Sequence, residues 1–60
     1  MHRQIAVDLA LHGHDRFALL AAAEALGFTG LGLGRTFLHL DRRASPARWY
    51  YKRSRALWQT

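Results

Sequence analysis

Sixty residues make one domain at most, and a chain this short buries only about 60% of the surface it exposes when unfolded, so its stability is marginal. Half the residues are apolar, which excludes wholesale disorder, and the absence of cysteine excludes disulfide staples and thiolate metal ligands. The net charge of +5 is lopsided, because Arg42, Arg43, Arg48, Lys52, Arg53 and Arg55 follow one another without an acid while the chain up to Asp41 is nearly balanced; such a run points to an anionic partner such as nucleic acid, lipid headgroups or cell-wall polymer.

The first ten residues mix His, Arg, Gln and Asp and do not carry the basic-then-apolar pattern of a signal peptide. Ile5, Val7, Leu9 and Leu11 alternate with Ala6, Asp8 and Ala10, the period of two expected of a strand. His12-Gly13-His14 reads as a turn and Asp15 as an N-cap. Arg16 to Leu26 is rich in Ala and Leu and predicts a helix, with Gly27 at the position of a C′ glycine. The most apolar stretch, Phe17 to Leu26, is too short to span a bilayer and contains Glu24, so no transmembrane segment is expected.

From Phe28 to Gly34 three glycines, Gly30, Gly32 and Gly34, alternate with Leu31 and Leu33, which predicts a strand with one bare face. Glycine in a strand often marks a place where something approaches the backbone closely. Gly34-Arg35-Thr36 is a hairpin turn, and Phe37 to Leu40 a further strand with Phe37 and His39 on one face and Leu38 and Leu40 on the other. Ser45-Pro46 has the form of an N-cap followed by proline at the first helical position, so Ala47 to Trp58 is expected to be a helix. The expected fold is a small α+β unit of order βαββ, a helix packed on an antiparallel sheet, over residues 1–44, followed by a basic aromatic helix or tail over 45–60.

Two segments carry candidate chemistry. His2 and Asp8 flank the start of the first strand, and His39 lies within the last one. Two histidines and one carboxylate form a complete protein ligand set for a catalytic zinc with one open position. His12-Gly13-His14-Asp15 reads better as a polar turn and cap than as a metal clip, and the alternate glycines lack the Lys and Ser/Thr of a phosphate loop. Trp49, Tyr50, Tyr51 and Trp58 among basic residues are read as packing on the sheet rather than as stacking on bases or sugars.

Ala6-Val7-Asp8 after a histidine, then Ala25-Leu26-Gly27-Phe28, Gly30-Leu31-Gly32-Leu33-Gly34, Phe37-Leu38-His39-Leu40-Asp41 and Arg48-Trp49, resemble the zinc D-Ala-D-Ala carboxypeptidase and peptidoglycan endopeptidase family, which shares a fold with the hedgehog signalling domain. The likeness runs from about His2 to Trp49. It implies His2, Asp8 and His39 as zinc ligands. It also implies a catalytic base two or three residues from the last histidine, for which Asp41 is the nearest match. The substrate implied is a peptidoglycan stem peptide, whose carboxylate Arg35 or Arg42 would grip, and the setting implied is periplasmic, cell-wall or phage lysis. The chain departs from the family pattern in two places. The step from His2 to Asp8 is one residue shorter, with Ile5 near the expected glycine, and the family's serine would fall before Met1, so the expectation includes a truncated or inactive remnant. The alternative expectation is a small basic module that binds nucleic acid or anionic wall polymer through its C-terminal stretch without chemistry.

Overall fold

The computed structural model describes residues 5–59. Its order is β1 (Ala6–Ala10), α1 (Arg16–Ala25), β2 (Gly30–Leu33), β3 (Phe37–Asp41), β4 (Ala47–Tyr50) and a 3-10 turn, Arg55–Trp58. The small α+β class expected from the sequence is what forms. The four strands lie in the order β1-β3-β2-β4, with β3 antiparallel to both β1 and β2 and β4 parallel to β2. β1 and β2 therefore run the same way with β3 inserted between them, and α1 makes the crossover.

Local chemistry accounts for most of the boundaries. Asp15 is in extended conformation and its carboxylate accepts from the amides of Phe17 and Ala18, satisfying two donors that a helix start leaves free. Gly27 closes α1 with a positive φ of 91°, a conformation that glycine adopts without strain. Leu11, Ala23, Leu31, Leu33, Leu38, Leu40 and Trp58 form the core between α1 and one face of the sheet.

The C-terminal helix expected over Ala47 to Trp58 does not form. Residues Ala47–Tyr50 are β4, and only Arg55–Trp58 turn helically. The sheet is accordingly mixed rather than wholly antiparallel. The open edge of β2 offers a row of backbone donors and acceptors, and the aromatic run Trp49-Tyr50-Tyr51 suits a pleated surface better than a helix. Pairing with a strand far back in sequence thus overrides the local Ser-Pro signal, which ends in a strand start instead. After β4, Ser54 is buried with its hydroxyl 2.6 Å from the carbonyl oxygens of both Leu33 and Tyr51, and Trp58 donates from Nε1 to the Gly34 carbonyl at 2.8 Å. These contacts fold the last turn back beneath the sheet.

The face of the sheet opposite α1 has no helix over it. Gly30, Gly32 and Gly34 lie on it, and neighbouring side chains occupy the space their missing Cβ atoms leave. A methyl at Gly30 would overlap the Asp41 carboxylate; one at Gly32 would come within 2.8–2.9 Å of the Tyr51 and Trp49 rings. We therefore expect Gly32→Ala to lower the unfolding free energy by about 1–3 kcal/mol through overpacking, read from urea midpoints. A substitution without effect would mean that the two rings do not lie where described.

Candidate functional site

Strand alternation sends Asp8 of β1 and His39 and Asp41 of β3 to this uncovered face. Register completes the arrangement, because Asp8 stands directly opposite His39 in the β1–β3 pair and Gly32 stands opposite His39 on the other side. His39 sits between the two carboxylates. Its Nδ1 is 2.7 Å from Asp8 Oδ1 and its Nε2 is 2.8 Å from Asp41 Oδ2. Asp41 is in turn gripped by Arg43, whose Nε donates to Oδ1 at 2.8 Å and Nη2 to Oδ2 at 2.6 Å, a bidentate fork. Thr29 fixes the Arg43 backbone from both sides: the Arg43 amide donates to Thr29 Oγ1 at 2.7 Å, and that hydroxyl donates to the Arg43 carbonyl at 2.8 Å. The result is a continuous chain, Asp8, His39, Asp41, Arg43.

Exposure falls from Asp8 to Asp41 and rises again to 38% at Arg43. The Asp8 side chain is 65% exposed, His39 21% and Asp41 8%. Asp8 is therefore the more open of the two ends to solvent or a ligand. An aromatic wall borders the histidine. The Trp49 ring centroid lies 5.6 Å from that of His39, Tyr51 follows at 6.3 Å from Trp49, and the Arg43 guanidinium lies 4.8 Å from the Trp49 ring centre.

Both ring nitrogens of His39 face carboxylate oxygens, which favours the imidazolium. Hydrogen bonding to Asp41, with a further contribution from Asp8, raises the His39 pKa above its ordinary 6.5 against the opposing effect of partial burial. Arg43, and then His39, hold Asp41 down to about 2 from an ordinary 3.8. Arg43 is itself raised by its bonds to Asp41.

Of the residues named from the sequence, Asp8, His39 and Asp41 come together. His2 lies outside the described residues. Arg35 and Arg42 do not join them. Arg35 is in the β2–β3 turn, about 13 Å along the strand from His39 at 3.3 Å per residue. Arg42 turns to the opposite end of α1, donating from Nη2 to the Leu26 carbonyl at 3.2 Å with its guanidinium over Phe28. Arg43, Trp49 and Tyr51 were not singled out for this site. The signal for Arg43 was present, since the alternation that pairs Phe37 with His39 continues through Asp41 to position 43.

Asp8 and His39 are donors of the kinds zinc takes, a carboxylate and an imidazole, and they converge on one another at the solvent edge of the site. Asp41 is on the far side of the ring, so among the described residues no group of three His, Asp or Glu side chains is arranged around a common metal position. The two converging donors fit as part of such a site, with a third ligand to come from elsewhere. Among the described residues no helix is long and apolar enough to cross a membrane. Comparison of the chain with protein families, curated proteins and solved structures gives no match.

The pH dependence of stability follows from the two shifts. His39 has a folded pKa above its unfolded one, so its contribution is complete below about pH 6.5 and is lost as pH rises through the raised value. Asp41 has a folded pKa below its unfolded one, so its contribution is complete above about pH 4 and is lost as pH falls through about 2. Urea midpoints of the metal-free protein should therefore be highest between those limits and decline on the alkaline side. His39→Gln should flatten that decline. A wild-type midpoint that rises from pH 6 to 8 contradicts the arrangement.

Proposed function

We propose that this chain is a zinc-dependent peptidase of the D,D-carboxypeptidase or endopeptidase type, acting on peptidoglycan stem peptides. The reading rests on the family resemblance of its motifs. The observation that supports it most directly is the 2.7 Å approach of Asp8 Oδ1 to His39 Nδ1, two donors that the resemblance names as ligands and that lie 31 residues apart in sequence. In this reading Asp8 and His39 hold the metal together with His2. A bound zinc would supply Lewis acidity, which polarises a scissile carbonyl and makes water a nucleophile near neutral pH.

The chain's own residues then divide the remaining work. Asp41 keeps the proton on His39 Nε2, which leaves the Nδ1 lone pair for the metal and sets the plane of the ring. Arg43 holds Asp41 as a carboxylate and in one orientation. A carboxylate with a pKa of about 2 and both oxygens engaged is a weak proton acceptor, so Asp41 is a positioning residue here rather than the general base that the motif alone implies. Trp49 and Tyr51 wall one side of the histidine, where an extended peptide could lie along the sheet.

A second reading, a basic module that docks on nucleic acid or anionic wall polymer, is favoured by one observation: among the described basic side chains only Arg43 and Arg48 meet a carboxylate.

The peptidase reading predicts that the purified chain binds one zinc, measured by calorimetry with elemental analysis. His39→Ala should abolish binding, and Asp41→Asn should weaken it roughly 10–100-fold. Because metal must displace the Nδ1 proton, affinity should also fall as pH is lowered below the His39 pKa. Cleavage of a stem peptide that is lost on chelation and on His39→Ala would establish the activity. A wild-type chain that takes up no zinc between pH 7 and 8 removes this reading.

A further inference from the structure

All four carboxylates of the chain are committed within the fold. Asp8 meets His39, Asp15 caps α1, Glu24 pairs with Arg48, and Asp41 meets His39 and Arg43. The cations left without a carboxylate are not spread evenly. Arg42 lies beside the C-terminal end of α1, against the Leu26 carbonyl. Arg16, Arg35, Lys52, Arg53 and Arg55 gather at the other end of the sheet. Arg16 begins α1 just after β1, and Arg35 sits in the β2–β3 turn. The segment after β4 is tied to the same end by the Tyr51 amide on the Leu33 carbonyl and by Trp58 on the Gly34 carbonyl. Among the described residues the only acidic side chain there is Asp15, whose Oδ1 accepts from two helix amides.

A cleft of about 200 Å³ opens at this pole, lined by Leu11, His12, Arg16, Arg35 and Thr36. The residues around it include two arginines, a histidine and a threonine, and no acid. Arg16 is held in place before any ligand arrives. Its Nη2 donates to the Arg35 carbonyl at 3.2 Å, and its guanidinium lies 5.2 Å from the ring centre of Trp58, itself anchored by the Nε1 bond to Gly34. A second nitrogen of the same group, Arg16 Nη1, is buried and has no hydrogen-bond partner among the described residues. Buried donors without an acceptor are rare in native proteins, so this group is one that an added acceptor would satisfy.

We propose that this cleft binds a phosphate group, with Arg16 and Arg35 as the charged contacts and Thr36 Oγ1 and His12 as further donors. Phosphate fits better than a carboxylate, because the Arg35 fork, the unpartnered Arg16 Nη1, the Thr36 hydroxyl and His12 together offer more donors than two oxygens can accept. The site is on the helix side of the sheet end and shares no residue with the His39 cluster, so it stands or falls independently of the peptidase reading. The phosphate can be a free ion or one unit of a phosphodiester polymer, and Lys52, Arg53 and Arg55 would attract the rest of such a polymer.

The test is an amide-resolved NMR titration of the whole chain, once with inorganic phosphate and once with a short oligothymidylate, at constant ionic strength set with chloride. We expect saturable shifts centred on residues 11–16 and 35–36. Arg35→Glu should weaken binding by roughly tenfold or more, a loss on the scale of one charge-assisted contact, whereas Arg42→Glu, at the other end of the sheet, should leave phosphate binding nearly unchanged. Arg35 is exposed, so the variant should keep the dispersed spectrum of the fold; if it does not, Arg35→Gln replaces it. Saturation by phosphate alone assigns a free anion, and saturation by both ligands assigns a polymer phosphate. Non-saturating shifts, shifts centred on residues 52–55, or oligonucleotide binding that Arg35→Glu leaves intact would each overturn the proposal.

Discussion

The structure depends on a sheet face whose middle strand carries no side chains. β2 supplies Leu31 and Leu33 to the core and glycine to the other side. That bare side allows Asp41 and Arg43 to lie across Gly30, Trp49 and Tyr51 across Gly32, and Phe37 across Gly34. Glycine in a strand costs backbone entropy and contributes no packing of its own. Here the loss is offset by what it admits. Polar and aromatic groups from the flanking strands close over the sheet and shield the Asp41 carboxylate, though its Arg43 partner stays partly exposed. Without this floor, Asp41 would not be 8% exposed and its bonds to His39 and Arg43 would be those of a surface pair, worth little.

Electrostatics follows from that geometry. The carboxylates number four against nine Lys and Arg, and each carboxylate is used at a point where the fold needs it. One caps the helix, one ties α1 to β4 through Glu24 and Arg48, and two hold His39. Acid and base are thereby paired between α1 and β4 and in the His39 cluster, and apart from Arg42 the described uncompensated positive charge is left at the Arg16–Arg35 end of the sheet. The molecule has two chemically different regions: a charge chain centred on the buried Asp41 carboxylate, and a cationic pole whose one described acidic side chain, Asp15, is engaged by the helix amides.

The segment after Pro46 shows why local signals can mislead. Serine followed by proline resembles a helix start, and the aromatic run Trp49-Tyr50-Tyr51 is the only local signal in 47–58 that favours a strand. The decisive term is non-local. Gly30 to Leu33 can pair on both sides, and Ala47 to Tyr50 gain a full ladder by adding to the open edge. Parallel pairing to a strand that lies 17 residues earlier is invisible to a short sequence window. The same pairing carries Trp49 to the His39 side of the sheet, so the error in secondary structure also hid an aromatic neighbour of the site.

Much of the rest was legible because it is local. Alternation marked β1 and β3, Asp15 and Gly27 bracketed α1, and the glycine repeat marked a strand that something approaches closely. Those are properties of single segments, set by capping, backbone freedom and the period of two. The sequence also placed Asp8 and His39 on strands. It could not show that the two face each other, that His39 lies between two carboxylates, or that Arg43 rather than Arg35 or Arg42 supports them. Those facts come from strand order and register, which depend on how separate segments bury their leucines together. A shift of one residue in the β1–β3 register would turn Asp8 to the core side and dissolve the site, and only tertiary packing selects against it.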